Sequence, residues 1–310
     1  MSIQSYIREI GRGKDGAKAL SRLQASELMG MILDGHVNDL QLGAFCLAMR
    51  IKGETEQEMS GFLDAVQARL NYLSSPESDK PVIVIPSYNG ARRLPVLTPL
   101  LGLLLAREGF AVLIHGSTTE NSRISSQEVL RELGVLPAAF ACDLKASELV
   151  FVKTDLISPG LQKLLDIRRT VGLRNSAHSM VKLIQPVRPT ENLNHPKPML
   201  ITSYTHPEYA VSMRKTLELT FGNALLLRGC EGEPVADLRR APAYTVIRDG
   251  LIQFEREAQK GSIPSSEIFS DELNAKTIAA YTKKILDESL PTPKSILEQI
   301  ELIKISCLKK

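Results

Sequence analysis

The residues able to do chemistry in this sequence gather in three short stretches: SYNGARR at 87–93, HG at 115–116 and RGCEGEPVADLRR at 228–240. The first places Arg92 and Arg93 just after the apolar run 82–85, at what reads as the carboxyl end of a strand and the start of a helix. In open α/β sheets that edge is where anionic ligands bind. A guanidinium is a planar fork of donors that matches a phosphate, so two adjacent arginines there can each hold one. Pairing with nearby acids is the competing reading. In the third stretch Arg228, Arg239 and Arg240 stand among Glu231, Glu233 and Asp237, and phosphate contact competes with internal salt bridges that would consume all three arginines. Between 151 and 200, eight basic residues (Lys153, Lys163, Arg168, Arg169, Arg174, Lys182, Arg188 and Lys197) face three acids, a local net of +5 in a chain of net +3. Such an excess attracts phosphate groups; a solvated surface balanced by acids elsewhere is the plainer alternative.

Other side chains carry less. His115 follows a buried strand and is expected as a hydrogen-bonded turn residue. His36, His178, His195 and His206 show no pairing that suggests metal or acid–base work. Tyr88 offers a ring for a base, a weak platform in a chain with 5% aromatics and no tryptophan. Adjacent Arg168 and Arg169 cannot share one helix face, so one of them is expected in structural contacts. The four cysteines (Cys46, Cys142, Cys230, Cys307) have no CxxC or metal-ligand spacing. That pattern fits a reduced cytoplasm without a disulfide framework or zinc site. The opening MSIQSYIREIGRGKDG is charged where a signal peptide needs an apolar core, and no run of eighteen apolar residues suggests a membrane span.

Two kinds of element must position these groups, within a 310-residue chain long enough for two lobes. The first seventy-odd residues read as helices. One covers 25–34; Asn38 caps a second whose apolar face is Leu40, Leu42, Phe45, Leu47 and Met49; Thr55 with Glu58 forms a capping box opening a third, expected to reach about residue 73. A polar, proline-bounded linker, SSPESDKP, follows at 74–81. Beyond it, apolar runs at 82–85, 111–114, 149–152, 199–202, 224–227 and 244–247 are mostly continuous, as buried parallel strands are. Amphipathic stretches at 94–107, 125–133, 207–219 and 270–288 lie between or after them, which predicts a doubly wound α/β lobe. Residues 158–184 read as two helices split near Gly172, able to return to the helical lobe, and 292–310 as an amphipathic helix ending in Lys309-Lys310.

This arrangement resembles the anthranilate phosphoribosyltransferase family (glycosyltransferase family 3), and specific residues carry the likeness. LDGHVNDLQLGAFCLAMRIKGETEQEMSGFLDA (33–65) is similar to the family's opening, His115-Gly116 to its K-H-G, and EVLRELGV (128–135) to its D-V-L-e-a-L-G. IRRTVGLR (167–174) resembles the helix bordering the aromatic substrate, with Arg168 at the matching contact position, and 225–233 stands where the family writes V-v-H-G-x-x-x-D-E. The resemblance implies a small all-helical N-terminal domain (1–75, joined by a helical excursion near 158–190) and a larger doubly wound α/β domain (80–310).

Each site departs from the enzyme pattern. The family's G-T-G-G-D turn cradles pyrophosphate because glycines let backbone N–H groups approach it. Here Ser87, Tyr88, Asn89 and Gly90 keep one glycine and no aspartate, and with His115 and Gly116 they make a degenerate cleft. The loop after Gly116 lacks the family's arginine, and the metal-binding Asp-Glu pair becomes Glu233-Pro234. A divalent cation needs hard oxygen ligands, which proline does not offer. The blocks RGKDGAK (12–18), HG-x6-RISS (115–126) and RGCEGEP (228–234) resemble the YbiB branch of the family. That resemblance implies a homodimer without transferase activity, metal or cofactor, binding DNA or RNA through phosphates. The expected contacts are Arg92, Arg93, Lys153, Arg168, Arg169, Arg174, Lys182, Arg188, Arg228, Arg239 and Arg240. The alternatives are a working phosphoribosyltransferase using phosphoribosyl pyrophosphate and Mg²⁺, and a protein-interaction scaffold with a decayed cleft.

Overall fold

The computed structural model describes the chain except residues 1, 14, 119–121, 140–142, 189–194, 260–271 and 308–310. Four helices open it: α1 Ile3–Ile10, α2 Arg22–Leu33, α3 Asp39–Lys52 and α4 Glu56–Gln67. Three of their starts obey one local rule. Ser21, Asn38 and Thr55 each accept a backbone N–H three residues on, and Gln24, Gln41 and Glu58 return the bond to the cap. Donors that the helix cannot satisfy are thereby paired. Glu58 does more. Fully buried, its carboxylate accepts Leu20 N–H at 2.9 Å, Thr55 N–H at 2.9 Å and Lys52 Nζ at 2.6 Å. One side chain ties the entry to α2, the end of α3 and the start of α4.

Two expectations for this lobe are corrected. The third helix stops at Gln67, and Leu73–Ser74 form strand β1 instead of its last turn. The expected apolar face of α3 is split: Leu42, Phe45 and Met49 are buried, while Leu40 and Leu47 are 83% and 48% exposed. Seven residues apart, these two leucines share a face turned away from the lobe's core.

From residue 83 strand and helix alternate: β2 Ile83–Pro86, α5 Thr98–Arg107, β3 Val112–Gly116, α6 Ser126–Glu132 and β4 Leu149–Lys153. Helices α7 Thr154–Ile157, α8 Pro159–Val171 and α9 Ala177–Met180 come next, then β5 Val187–Arg188. The remainder holds β6 Met199–Tyr204, α10 Pro207–Leu219, β7 Ala224–Arg228, β8 Tyr244–Arg248, β9 Leu251–Arg256, α11 Ala275–Leu286 and α12 Lys294–Cys307. The seven-stranded sheet runs β4-β3-β2-β6-β7-β8-β9, parallel through β7 and antiparallel at β8 and β9. The run at 244–247 is therefore an antiparallel strand in a mixed sheet. A parallel return needs a crossover, usually a helix, and residues 229–243 contain none.

The strands read as continuous apolar runs because both sheet faces are covered. Val84, Leu113, Val152 and Leu200 face a core shared with the helical lobe; Ile83, Ile85, Val112 and Ile201 face α5, α6, α11 and α12. Helix α12 contributes Ile296, Ile300 and Ile303 to the second core. Lys309-Lys310 and Cys142 lie outside the described residues.

Segment 154–180 returns to the helical lobe. Helix α8 ends at Gly172, which takes the left-handed conformation (φ 76°) that favours glycine. Asn71 donates from its backbone to Ile157 O and from its side chain to Leu156 O, both at 2.8 Å, and Ser176 donates to Glu54 at 2.5 Å. A two-stranded parallel pair, β1 with β5, completes the junction. Among the described residues no helix is long and apolar enough to cross a membrane.

Candidate functional site

The site grows from the turn after β2. Ser87 N–H donates to His115 O at 2.7 Å, and a Cβ on Gly116 would lie 1.8 Å from Ser87 O, so only glycine lets β3 end this close to the turn. Gly90 takes a left-handed conformation (φ 62°) and directs the following amides inward. The amides converge on two carboxylates of the 229–234 loop. Glu233, 1% exposed, accepts Asn89 N–H at 3.1 Å, Gly90 N–H at 2.8 Å and Thr98 Oγ1 at 2.9 Å, and Ser87 Oγ also donates to it. Ser126 Oγ stands 2.7 Å behind Ser87 Oγ. Glu231 accepts Arg92 N–H at 3.0 Å, Arg93 N–H at 2.8 Å and Leu94 N–H at 2.8 Å. Arg123, whose place in the RISS block gives no sign of this role, braces the assembly, donating to Gly90 O at 3.0 Å and standing 3.9 Å from Glu231.

The expected cations divide into two groups. Arg92, Arg93, Lys153 and Arg228 are exposed at the carboxyl ends of β2, β4 and β7, along one sheet edge. Arg92 and Arg93 are not at a helix start, as α5 begins at Thr98; their amides serve Glu231, and Pro95 disfavours helical geometry at Leu94. Arg240 is exposed beyond the 229–234 loop, and Arg188 lies on β5 with its guanidinium 5.3 Å from the Tyr72 ring, away from that edge. Further expected cations make internal contacts. Arg169 donates to Thr118 O at 2.8 Å, Arg174 to Asn89 Oδ1 at 2.9 Å, Lys182 to Ser203 O at 2.9 Å, and Arg239 pairs with Asp237 at 2.5 Å. Arg168 is half-buried on α8 beside exposed Arg169, a division that follows from their adjacency. Salt bridges thus consume Arg239 but leave Arg228 and Arg240 exposed.

Between the lobes lies a cavity of about 250 Å³, lined by Arg50, Glu54, Arg174, His178, Lys182 and Tyr204 among others. Burial lowers the Lys182 ammonium to about 8, against the opposing pull of Glu233. Tyr88 is no base platform: it is 5% exposed and its hydroxyl donates to His178 O at 2.7 Å. His115 is a strand residue, fully buried, and among the described residues neither ring nitrogen has a partner. Burial without a partner pushes its imidazole down to about 3, where the expectation was a hydrogen-bonded turn residue.

The divalent metal that the phosphoribosyltransferase alternative requires does not fit these residues. The Glu233 oxygens face N–H and O–H donors, the next position is Pro234, and Asp237 is held by Arg239. Among the described residues no group of three or more His, Cys, Asp or Glu is placed to hold a metal ion.

The chain is similar to known proteins in sequence and in fold. Residues 4–70 match the glycosyl transferase family, helical bundle domain. The uncharacterized protein YbiB of Escherichia coli (strain K12) is 36% identical over 306 residues, covering 97% of this chain and 92% of that protein. The anthranilate phosphoribosyltransferase of Desulforudis audaxviator (strain MP104C) is 29% identical over 187 residues, 59% of this chain and 54% of the enzyme. In fold, the crystal structure of anthranilate phosphoribosyltransferase from Thermus thermophilus superposes with a TM-score of 0.71 at 18% identity, covering 98% of this chain and 87% of that one. The helical N-terminal domain and larger α/β domain with a mixed sheet match that structure, and the chain belongs to the anthranilate phosphoribosyltransferase-like proteins of glycosyl transferase family 3, as a homologue of YbiB.

Proposed function

We propose that this protein binds DNA or RNA through phosphate contacts, largely without regard to sequence, and does not transfer phosphoribosyl groups. The observation that carries the reading is the division of labour at the sheet edge. Backbone donors of the turn are engaged by Glu231 and Glu233, whereas Arg92, Arg93, Lys153 and Arg228 are exposed around it. Cations on a strand edge attract a phosphate chain but read no bases. From β4 to β7 is four strand spacings, about 19 Å, room for several successive phosphates.

The same carboxylates argue against transfer chemistry. A leaving pyrophosphate needs preorganised donors, and those of this turn already hold two negative charges. We further propose a homodimer that pairs through α3, where Leu40, Leu47 and Ile51 (83%, 48% and 56% exposed) form an outward apolar stripe. Exposed leucines at this spacing are costly in a monomer and are covered by a second copy of the same face.

The test is a fluorescence anisotropy titration of a labelled single-stranded oligonucleotide at two salt concentrations. Binding at low salt that weakens steeply with salt is expected. No binding at low salt, or an affinity indifferent to salt, overturns the proposal. Turnover of anthranilate with phosphoribosyl pyrophosphate and Mg²⁺ would replace it with the transferase reading.

A further inference from the structure

We propose that Lys182 is a covalent attachment site, its amine forming a reversible imine with an aldehyde that carries an anionic group. The residue follows α9 and is held from both ends by β6. Thr202 Oγ1 donates to its main-chain O at 2.7 Å, and its own Nζ donates to Ser203 O at 2.9 Å. Buried Lys52 is paired with Glu58 at 2.6 Å, whereas the Lys182 amine makes no ion pair with a carboxylate among the described residues. The Tyr88 ring stands 5.8 Å from Nζ, and Lys182 lines the interlobe cavity of about 250 Å³. That volume suits a small molecule.

An ammonium has no lone pair to attack with, and the neutral amine does. Burial lowers Lys182 to about 8, with Glu233 opposing and Arg174 assisting. Near pH 7 about a tenth of such an amine is unprotonated, roughly 300-fold more than for an ordinary lysine. In the reaction Nζ bonds to the carbonyl carbon and the two amine protons pass to the carbonyl oxygen. That oxygen leaves as water, and nothing is oxidised or reduced. The charges around the cavity select the aldehyde. Arg50 and Arg174 stand against one acid, Glu54, which already accepts Ser176 Oγ at 2.5 Å, so a phosphate or carboxylate on the ligand is favoured. Arg168, the position matched to the aromatic substrate's contact, is not among the described residues lining this cavity.

The inference stands apart from nucleic-acid binding, because its readout is a small-molecule adduct. The full chain is incubated near pH 7 with pyridoxal 5′-phosphate, the imine is fixed with borohydride, and the labelled lysines are mapped by mass spectrometry. Exposed Lys276 on α11 serves as the internal reference. Lys182 is expected to be labelled about tenfold faster than Lys276, since restricted entry through the cleft offsets part of the gain in free amine. Pyridoxal, which lacks the phosphate, should reduce that preference about threefold or more. Labelling of Lys182 no faster than Lys276 overturns the reactive amine, and the same preference with both probes overturns the anionic class. K182R keeps the charge and the length of the side chain and is expected to lose most of the imine absorbance. An undiminished band from a variant with native circular dichroism also overturns the inference, and the comparison within the wild type needs no variant to fold.

Discussion

Replacing Arg92 and Arg93 with alanine tests the phosphate-edge reading most directly, because its effect is numerical. Their side chains are exposed on the carboxyl edge with Lys153 and Arg228, so four cations can neutralise phosphates there. Each phosphate neutralised on a single strand contributes about −0.7 to the slope of log affinity against log salt, giving about −2.8 for the wild type. Between roughly 50 and 200 mM salt, affinity should fall about fiftyfold. R92A/R93A removes two contacts, so the slope should drop to about −1.4 and the fall to about sevenfold. The control is R239A: Arg239 is paired with Asp237 at 2.5 Å, and its loss should leave the slope unchanged. Anisotropy titrations over a salt series measure all three proteins. A double variant with the wild-type slope would refute the assignment of these arginines to phosphate.

Three further outcomes follow from buried and exposed groups elsewhere. E58A strips the partner from Lys52, whose side chain is 8% exposed, and should cost about 3–5 kcal/mol in urea unfolding; E58Q should cost less, and an E58A loss under about 1 kcal/mol would contradict the role given to Glu58. Native His115 stays neutral, with its imidazole pushed from 6.5 to about 3, whereas the unfolded chain takes up that proton below its ordinary value. Its contribution to stability should therefore decline by about 1.4 kcal/mol per unit as pH falls from about 6.5 towards 3. H115L removes that dependence, so unfolding curves near pH 7 and 4.5 should diverge less than the wild type's, and equal divergence would count against the buried neutral histidine. L40D/L47D should sediment as a monomer at micromolar concentration, and an unchanged sedimentation coefficient would exclude α3 as the dimer face.

What is legible in the sequence is whatever local spacing decides. Ser21, Asn38 and Thr55 cap helices through residues three positions away, and of these the Asn38 and Thr55 starts can be read by eye. Strands buried on both faces announce themselves by unbroken apolar runs, as at 82–85 and 111–114. Direction is not legible: β8 carries the same apolar run as its parallel neighbours, and only the helix-free connection before it reverses the chain. The site is hidden for a different reason. Glu231 reaches Arg93 across 138 positions of sequence, so an E-G-E loop near the end of one strand gives no sign that it fills a turn near the end of another. Exposure is similarly non-local, and Leu40 reads as a core residue because its helix has apolar residues on more than one face.

The junction between the lobes has a mechanical consequence. Chain crosses it near residues 71–82, 153–158 and 185–188, and these crossings are stitched side by side: Asn71 to Leu156 and Ile157, Leu73 N–H to Pro186 O at 2.9 Å, and Leu73 and Ser74 in register with Val187 and Arg188. Separate crossings would each allow their own rotation, whereas a stitched seam leaves one bending axis, like the spine of a book. Sliding one cover past the other would break these bonds. A polymer lying across both would hold the spine at one angle, and a bend imposed on the spine would in turn change how firmly the polymer is held.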